Sequence, residues 1–584
     1  MRIWKSCAGA LVVLLVGCGS PPVSMDAGAS DAGSSSDGGA GCELDGVRVA
    51  EGAVATWFVA EHADVGEDCE GHARRCVGGA LDGEAAAVHA TCEDERDLHL
   101  YVDVDGSDAA DGRSEASALS TLRAAIEKVA AFAGSYDEAT VHVGPGEFEE
   151  TRELRLDHPV RIVGAGRDDG GSQVSFRIER THASVRVMSG GVVIEDLAIH
   201  VELVHRLTDE FYVGGRGEFG TGVTVGEYLS TTPSPRVDGV TLRRLRISRS
   251  GDTAAAMTIV GRVANVLVED IRMTGNHSTA TILHWGAHSS IAPAPAALYA
   301  PGYEVYESYH PHGITIRDLD IERSARFAVI SSSYDVTMSG YRGETAELLF
   351  ILPGDEIDRY AQEEDRGRIM SGIDVGDFEV AVRARNNSVD FIRTTAVGTS
   401  KVDSMRRLLP IRGMSIHDIR VLSVDRTDGH LRYGVNAAGT RGEDITFSNL
   451  HLADLASRQW VTEEGRAISS FGVYLRDAEG VTVEDVTTHG RYGLAIIDSQ
   501  GITVRRGTFE HLETGATTRS YGIFTADDAA PYGPLTGVTL EGLTVTGYDV
   551  GIAYPGPGRC DAFTLSGLSF VSIGEVVERP ESCL

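Results

Sequence analysis

Phe471-Gly-Val-Tyr-Leu-Arg-Asp477, Tyr492-Gly-Leu-Ala-Ile-Ile-Asp498 and Tyr521-Gly-Ile-Phe-Thr-Ala-Asp527 are three copies of one phrase, followed by a shorter fourth, Val550-Gly-Ile-Ala-Tyr554. Behind each comes a second short segment: Gly480-Val-Thr-Val, Gly501-Ile-Thr-Val, Gly537-Val-Thr-Leu and Ala562-Phe-Thr-Leu. Both segments alternate apolar and polar residues and are bounded by Gly, Asp and Ser, the pattern of a half-buried strand. The phrase glycines Gly472, Gly493, Gly522 and Gly551 lie 21, 29 and 29 residues apart. A repeat of that length predicts stacked coils, none of which can bury its apolar face without its neighbours. Counting from the glycines points Val473, Leu475, Leu494, Ile496 and Ile523 inward, and Tyr474, Arg476, Ala495 and Phe524 outward.

Composition limits the partners. The chain has 584 residues, 42% hydrophobic and 24% charged, with a formal net charge of −34. That suits a folded protein of more than one domain. It argues against nucleic acid, which needs a basic surface. Only Lys5, Lys128 and Lys401 are lysine among the 52 basic residues.

At the N-terminus, Arg2 and Lys5 precede an apolar run over residues 8–16, too short to span a bilayer but suited to a signal segment. The run ends in Leu15-Val-Gly-Cys18, which resembles the lipobox of bacterial lipoproteins. The resemblance implies a signal peptide over 1–17 and a diacylglycerol-modified, palmitate-type anchor on Cys18. Gly19, in place of Asp, implies by the same resemblance an outer-membrane location at the cell surface or periplasmic face. Residues 18–41 are nearly all Gly, Ser, Ala, Asp and Pro, a composition that cannot bury enough apolar area to order, so they form a tether.

Residues 42–95 hold Cys42, Cys69, Cys76 and Cys92. In an exported chain they predict two disulfides, with the connectivity open among three arrangements. Zinc is the rival, but no CxxC pair is present. The segment is similar to small cysteine modules of bacterial surface proteins, which implies a spacer or adhesion unit. From residue 98 a strand runs into the Asp/Gly turn at 103–112, where Asp103, Asp105 and Asp108 suit turn formation better than an EF-hand calcium loop. Ser120 is placed to cap a helix with the apolar stripe Leu122, Ala125, Ile126, Val129 and Ala133. Then follow Val143-Gly-Pro-Gly and Ile162-Val-Gly-Ala-Gly.

This opening is similar to that of right-handed parallel β-helix proteins, the pectate-lyase-like superfamily, in which a helix covers the first coil. The resemblance covers roughly 98–575 and predicts an all-β, right-handed parallel β-helix over 98–584, with an N-terminal capping helix and a disulfide-rich module ahead of it. Gly191-Val-Val-Ile, Gly239-Val-Thr-Leu, Asn265-Val-Leu-Val, Gly313-Ile-Thr-Ile, Asp335-Val-Thr-Met, Gly413-Met-Ser-Ile and Asp444-Ile-Thr-Phe mark its further coils. Cys560 and Cys583 are expected to pair and close the far end. Residues 287–312 and 340–412 read as departures from the coil period, and insertions of this kind often carry a solenoid's function.

Three groupings carry candidate chemistry. The resemblance makes the Tyr-Gly-Ile sheet the counterpart of the superfamily's substrate groove. There Asp477, Asp498 and Asp527 should stack in successive coils, as an acid/base pair for glycoside hydrolysis or as Ca²⁺ ligands for a lyase, with Arg476 facing a uronate and Tyr474 and Phe524 facing sugar rings. The plainer alternative is that each Asp only turns the chain. The second grouping is His284, Trp285, Tyr309, His310 and His312, suited to sugar binding. The third is Arg383, Arg385, Asn386, Asn387, Arg393 and Lys401, where an Arg or Lys could serve a lyase as base, though solvated charge is the simpler reading. None of the catalytic sets of the familiar β-helix enzymes is present, so the resemblance carries the fold and not an active site. Two readings follow: a lipid-anchored protein that binds carbohydrate or serves as a surface rod, or a polysaccharide lyase, hydrolase or epimerase.

Overall fold

Turn chemistry builds the coils. Residues 313–318, 413–418 and 480–485 each place four strand residues between two residues of positive φ, a Gly first and an Asp last. Asn265 with Asp270 and Asp444 with Asn449 repeat the arrangement. L-residues avoid this region, and Gly, Asn and Asp tolerate it best. Arg244 and Arg506 also adopt it, and each guanidinium is held by the corner residue one coil earlier, Asp196 at 2.7 Å and Asp485 at 2.8 Å.

The computed structural model describes residues 41–584 apart from 61, 64, 66–68, 95, 179–182, 204–221, 228–234, 251–254, 285–309, 332, 353–369, 386–389, 395–410, 429–430, 457–459, 462–466, 469, 513–518, 528–533, 555–561 and 579–584. Two compact units emerge: the chain through Ala63 together with Asp68–Glu93, and Asp64–Glu67 together with Asp94–Leu584.

Among the described residues of the larger unit, 32 strands form one hydrogen-bonded system whose neighbours pair in parallel. Pairing stacks equivalent residues coil upon coil: Val336 on Ile373, Met414, Ile445 and Val481. All five are buried in a single apolar core whose members run from Val65 to Ile552. Each such side chain contributes about 1.5–3 kcal/mol on burial. This is the expected all-β parallel β-helix.

The helix Leu122–Ala131 lies against the first coils and buries Leu122, Ala125, Ile126 and Val129, as the stripe predicts. Its cap is Thr121, whose side chain accepts from the Ala124 N–H; Ser120 instead donates to the Asp108 carboxylate. Asp103 and Asp108 are turn residues here, accepting from Asp105 and from Ser120 and Thr121.

The described residues of 340–412 are largely regular coil. Tyr334–Leu352 pairs with Met370–Arg385, and Asp390–Arg393 joins the same system. Tyr341, Phe378 and Val380 fill the core there without the Val-Thr-Val phrase that marks other coils. The repeat glycines serve a different end from the corner residues. A Cβ on Gly522 would lie 2.0 Å from Val545 Cγ1, and one on Gly472 would lie 2.5 Å from Thr488 Cγ2, so close approach demands glycine.

The smaller unit pairs Val54–Phe58, Gly71–Val77 and Ala80–Asp82 as an antiparallel sheet around buried Trp57. Disulfides join Cys42 to Cys76 and Cys69 to Cys92, resolving the connectivity left open by the sequence. Cys18, Cys560 and Cys583 lie outside the described residues. Among the described residues, no helix is long and apolar enough to cross a membrane.

Candidate functional site

The repeat phrase forms one row of strands whose outer side carries rings. Tyr433, Phe471, Tyr492 and Tyr521 occupy register-equivalent positions in successive coils. Their rings stack with centroids 5.2, 4.8 and 5.4 Å apart. Three residues further along each strand, Tyr474 leans on Tyr433 and Phe471, and Phe524 leans on Tyr492 and Tyr521, at 4.9–5.4 Å. Ala495 sits buried between them. The result is a six-ring patch outside the core, with Tyr474, Tyr492, Tyr521 and Phe524 partly exposed. Arg432 and Arg491 place their guanidinium carbons 5.0 and 5.6 Å from the Tyr433 and Tyr492 centroids. Burial pushes the Tyr433 hydroxyl up to about 12, with Arg432 opposing the shift, so it stays protonated at neutral pH.

Towards the N-terminus the same column turns from aromatic to charged. Asp390 is the register partner of Tyr433. The pairing of Leu349 with Ile392 and Phe350 with Arg393 sets Glu347 beside Asp390, and Arg326 pairs with Glu347. Glu347 is 9% exposed and accepts from Arg326 Nε at 2.9 Å and Nη2 at 2.5 Å, both on Oε2. Asp390 is 3% exposed; its Oδ1 accepts from Asn436 Nδ2 at 2.8 Å, and Arg393 Nη1 lies 3.4 Å from Oδ2. Arg326 and Arg393 both lie over the Phe350 ring, at 4.0 and 5.5 Å. Burial holds both carboxyls above their usual range. Arg326 opposes this at Glu347, and Asn436 and Arg393 oppose it at Asp390. The charge on Asp390 raises Glu347 further, so the two groups feel each other.

The acidic column expected from the repeat exists in register, but not as groove-facing carboxylates. Asp477 and Asp498 are each 2% exposed and have positive φ at the corner that ends their strands. Asp477 accepts from Arg441. Asp527 is half-buried. The plainer alternative, chain reversal, accounts for the first two. Nor do the three form a set of converging ligand atoms for Ca²⁺. Among the described residues one such set occurs, Cys42, Glu51 and Cys76, and its sulfurs are joined to each other.

Arg476 and Tyr474 are half-buried on the outer side, as alternation predicts. In the histidine-rich segment, His284 ends the strand Thr279–His284 as register partner of Ser331, while Trp285 and Tyr309 lie outside the described residues. His310 is 1% exposed, and its carbonyl accepts from His312 Nδ1 at 2.9 Å. The His312 ring stacks on Tyr334 at 4.6 Å. His312 and Tyr334 are cross-coil partners and both half-buried, so this stacked pair sits on regular strands and not on a loop. Asn386, Asn387 and Lys401 lie outside the described residues, and Arg383 sits 3.9 Å from Asp425.

Sequence reasoning missed Glu347 and Asp390. The available signal was faint: Glu347-Leu-Leu-Phe and Asp390-Phe-Ile-Arg each open an apolar run with a carboxylate where other coils have tyrosine or phenylalanine.

The sequence matches no protein-family model and no curated protein. Among solved structures it is similar to the catalytic domain of a GH87 alpha-1,3-glucanase in complex with tetrasaccharides, at 11% identity and TM-score 0.33, covering 83% of this chain and 68% of that one. It is similar to the Azotobacter vinelandii mannuronan C-5 epimerase AlgE6 A-module, at 14% identity and TM-score 0.25, covering 79% and 95%. It is also similar to tailspike protein 3 of bacteriophage CBA120, at 11% identity and TM-score 0.38, covering 79% and 58%.

Proposed function

We propose that this chain is a lipid-anchored extracytoplasmic β-helix protein, held at the bacterial outer membrane through Cys18, that binds an extended polysaccharide along its aromatic column. The six-ring patch from Tyr433 to Phe524 carries the reading. Outer positions of a solenoid are normally polar, and an apolar aromatic strip outside the core exposes surface that a sugar's C–H faces can cover. Coil spacing of about 4.8 Å matches a linear ligand running along the stack. A structural or adhesive rod uses the same surface. Retention of the full chain carrying Cys18→Ala in polysaccharide-containing native gels tests it. Tyr474→Ala and Phe524→Ala should each lower retention about tenfold, and equal mobility of all three proteins in every polymer would sink the reading. The alternative, a polysaccharide-processing enzyme, is favoured by one observation: the paired carboxyls Glu347 and Asp390 at the end of the column.

A further inference from the structure

We propose that Glu347 and Asp390 are the reacting carboxyl pair of a glycoside-cleaving site for a neutral polysaccharide, placed where the aromatic column ends. The inference rests on the polysaccharide reading above and adds bond cleavage to it.

Register carries the argument. Arg326, Glu347, Asp390, Tyr433 and Phe471 follow one another on successive coils, so the two carboxyls continue the line of the rings one and two coils on. Neighbouring parallel strands lie about 4.8 Å apart, so the backbones that carry the two carboxyls are spaced like the roughly 5 Å between a nucleophile and an acid acting on one glycosidic bond. Their retention in a buried setting needs a reason. A buried ion cluster contributes little net stability compared with apolar side chains of similar volume, and the coils beyond fill this column with rings.

The hydrogen bonds divide the roles. Both Arg326 contacts fall on Glu347 Oε2 and favour its anionic form. Burial raises both carboxyls; at Asp390 it is opposed by the neutral donor Asn436 on Oδ1 and by a longer Arg393 contact on Oδ2, in place of the two close guanidinium contacts on Glu347. Glu347 therefore attacks the anomeric carbon as that carbon's bond to the glycosidic oxygen breaks. The bonding pair leaves on that oxygen, which takes the Asp390 proton. Water, giving its proton to Asp390, then displaces Glu347 and restores both groups. The ligand class follows from charge. Arg326 and Arg393 offset the two carboxylates, and the net charge of −34 disfavours a polyanion.

The test uses the full chain carrying Cys18→Ala with soluble α- and β-linked glucans, mannan, xylan and polygalacturonate, reading retention and reducing ends separately. New reducing ends from a neutral polymer are expected, with the product anomer retained by proton NMR. Glu347→Gln and Asp390→Asn should each cut the rate at least about a hundredfold while leaving retention unchanged. Azide should restore turnover to Glu347→Ala with a glycosyl azide as product. Retention without cleavage by the unaltered pair overturns the proposal and leaves the binding reading standing. Absence of both retention and cleavage overturns both. Cleavage of polygalacturonate alone overturns the neutral class. An inverted anomer, or full activity in either variant, overturns the assigned roles, and the anomer is read without any variant having to fold.

Discussion

His277 shows how a single buried side chain ties stability to pH. It is 1% exposed, with Nε2 on the Thr274 carbonyl at 3.1 Å, and burial followed by nearby Arg249 lowers its pKa to about 4. A histidine depressed in the folded state binds fewer protons than in the unfolded chain, so stability is present above the unfolded value of 6.5 and is lost as pH falls through about 4. The loss should be on the order of 3 kcal/mol. Urea unfolding at pH 7 and pH 4 should show a smaller difference for His277→Gln than for the wild type. Glu347 and Asp390 act with the opposite sign. Their folded values lie above the ordinary 4.5 and 3.8, so the folded state binds more protons and stability falls as pH rises from that range upward. Glu347→Gln should flatten the unfolding free energy between pH 4 and neutrality, and an unchanged slope would count against a raised carboxyl. Neither shift could be read from the sequence, because burial is set by residues from other coils.

At the scale of the element, a coil depends on two kinds of special residue. Corner positions need positive φ, which Gly, Asp and Asn supply, and those were legible as the punctuation before and after Val-Thr-Val. Repeat glycines need the absence of a Cβ, which the spacing revealed without its cause. Gly522→Ala would bring a methyl against Val545 and should cost about 1–3 kcal/mol by overpacking. The loss is measurable as a lower urea midpoint, and the change should leave glycan retention largely intact because Tyr521 and Phe524 stay on the outer side. The aspartates after the repeat mislead for the same reason. Asp477 and Asp498 belong to the corner geometry, and a corner Asp and a groove Asp look alike along the chain.

For the whole molecule, the proposed lipid attachment lies at the N-terminal end of the chain, and the proposed chemistry lies on one row of strands. Cys18→Ala should move the protein from the membrane pellet to the soluble fraction, and an unchanged pellet fraction would defeat lipid anchoring. The parallel β-helix and the helix's place over its first coils were what the family resemblance implied. Alternation, corner residues and the repeat period by themselves determined stacked coils of strand with an apolar inner side and an amphipathic helix near residue 122. They did so because inside and outside follow from a period of two and from turn chemistry that each coil carries locally. Tertiary structure alone decided the Cys42–Cys76 and Cys69–Cys92 pairing, the burial of Asp477 and His310, and the alignment of Arg326, Glu347 and Asp390 with the aromatic column. Those three residues belong to coils of unequal length, so no period relates them, and only the hydrogen-bond register between strands sets them in one line.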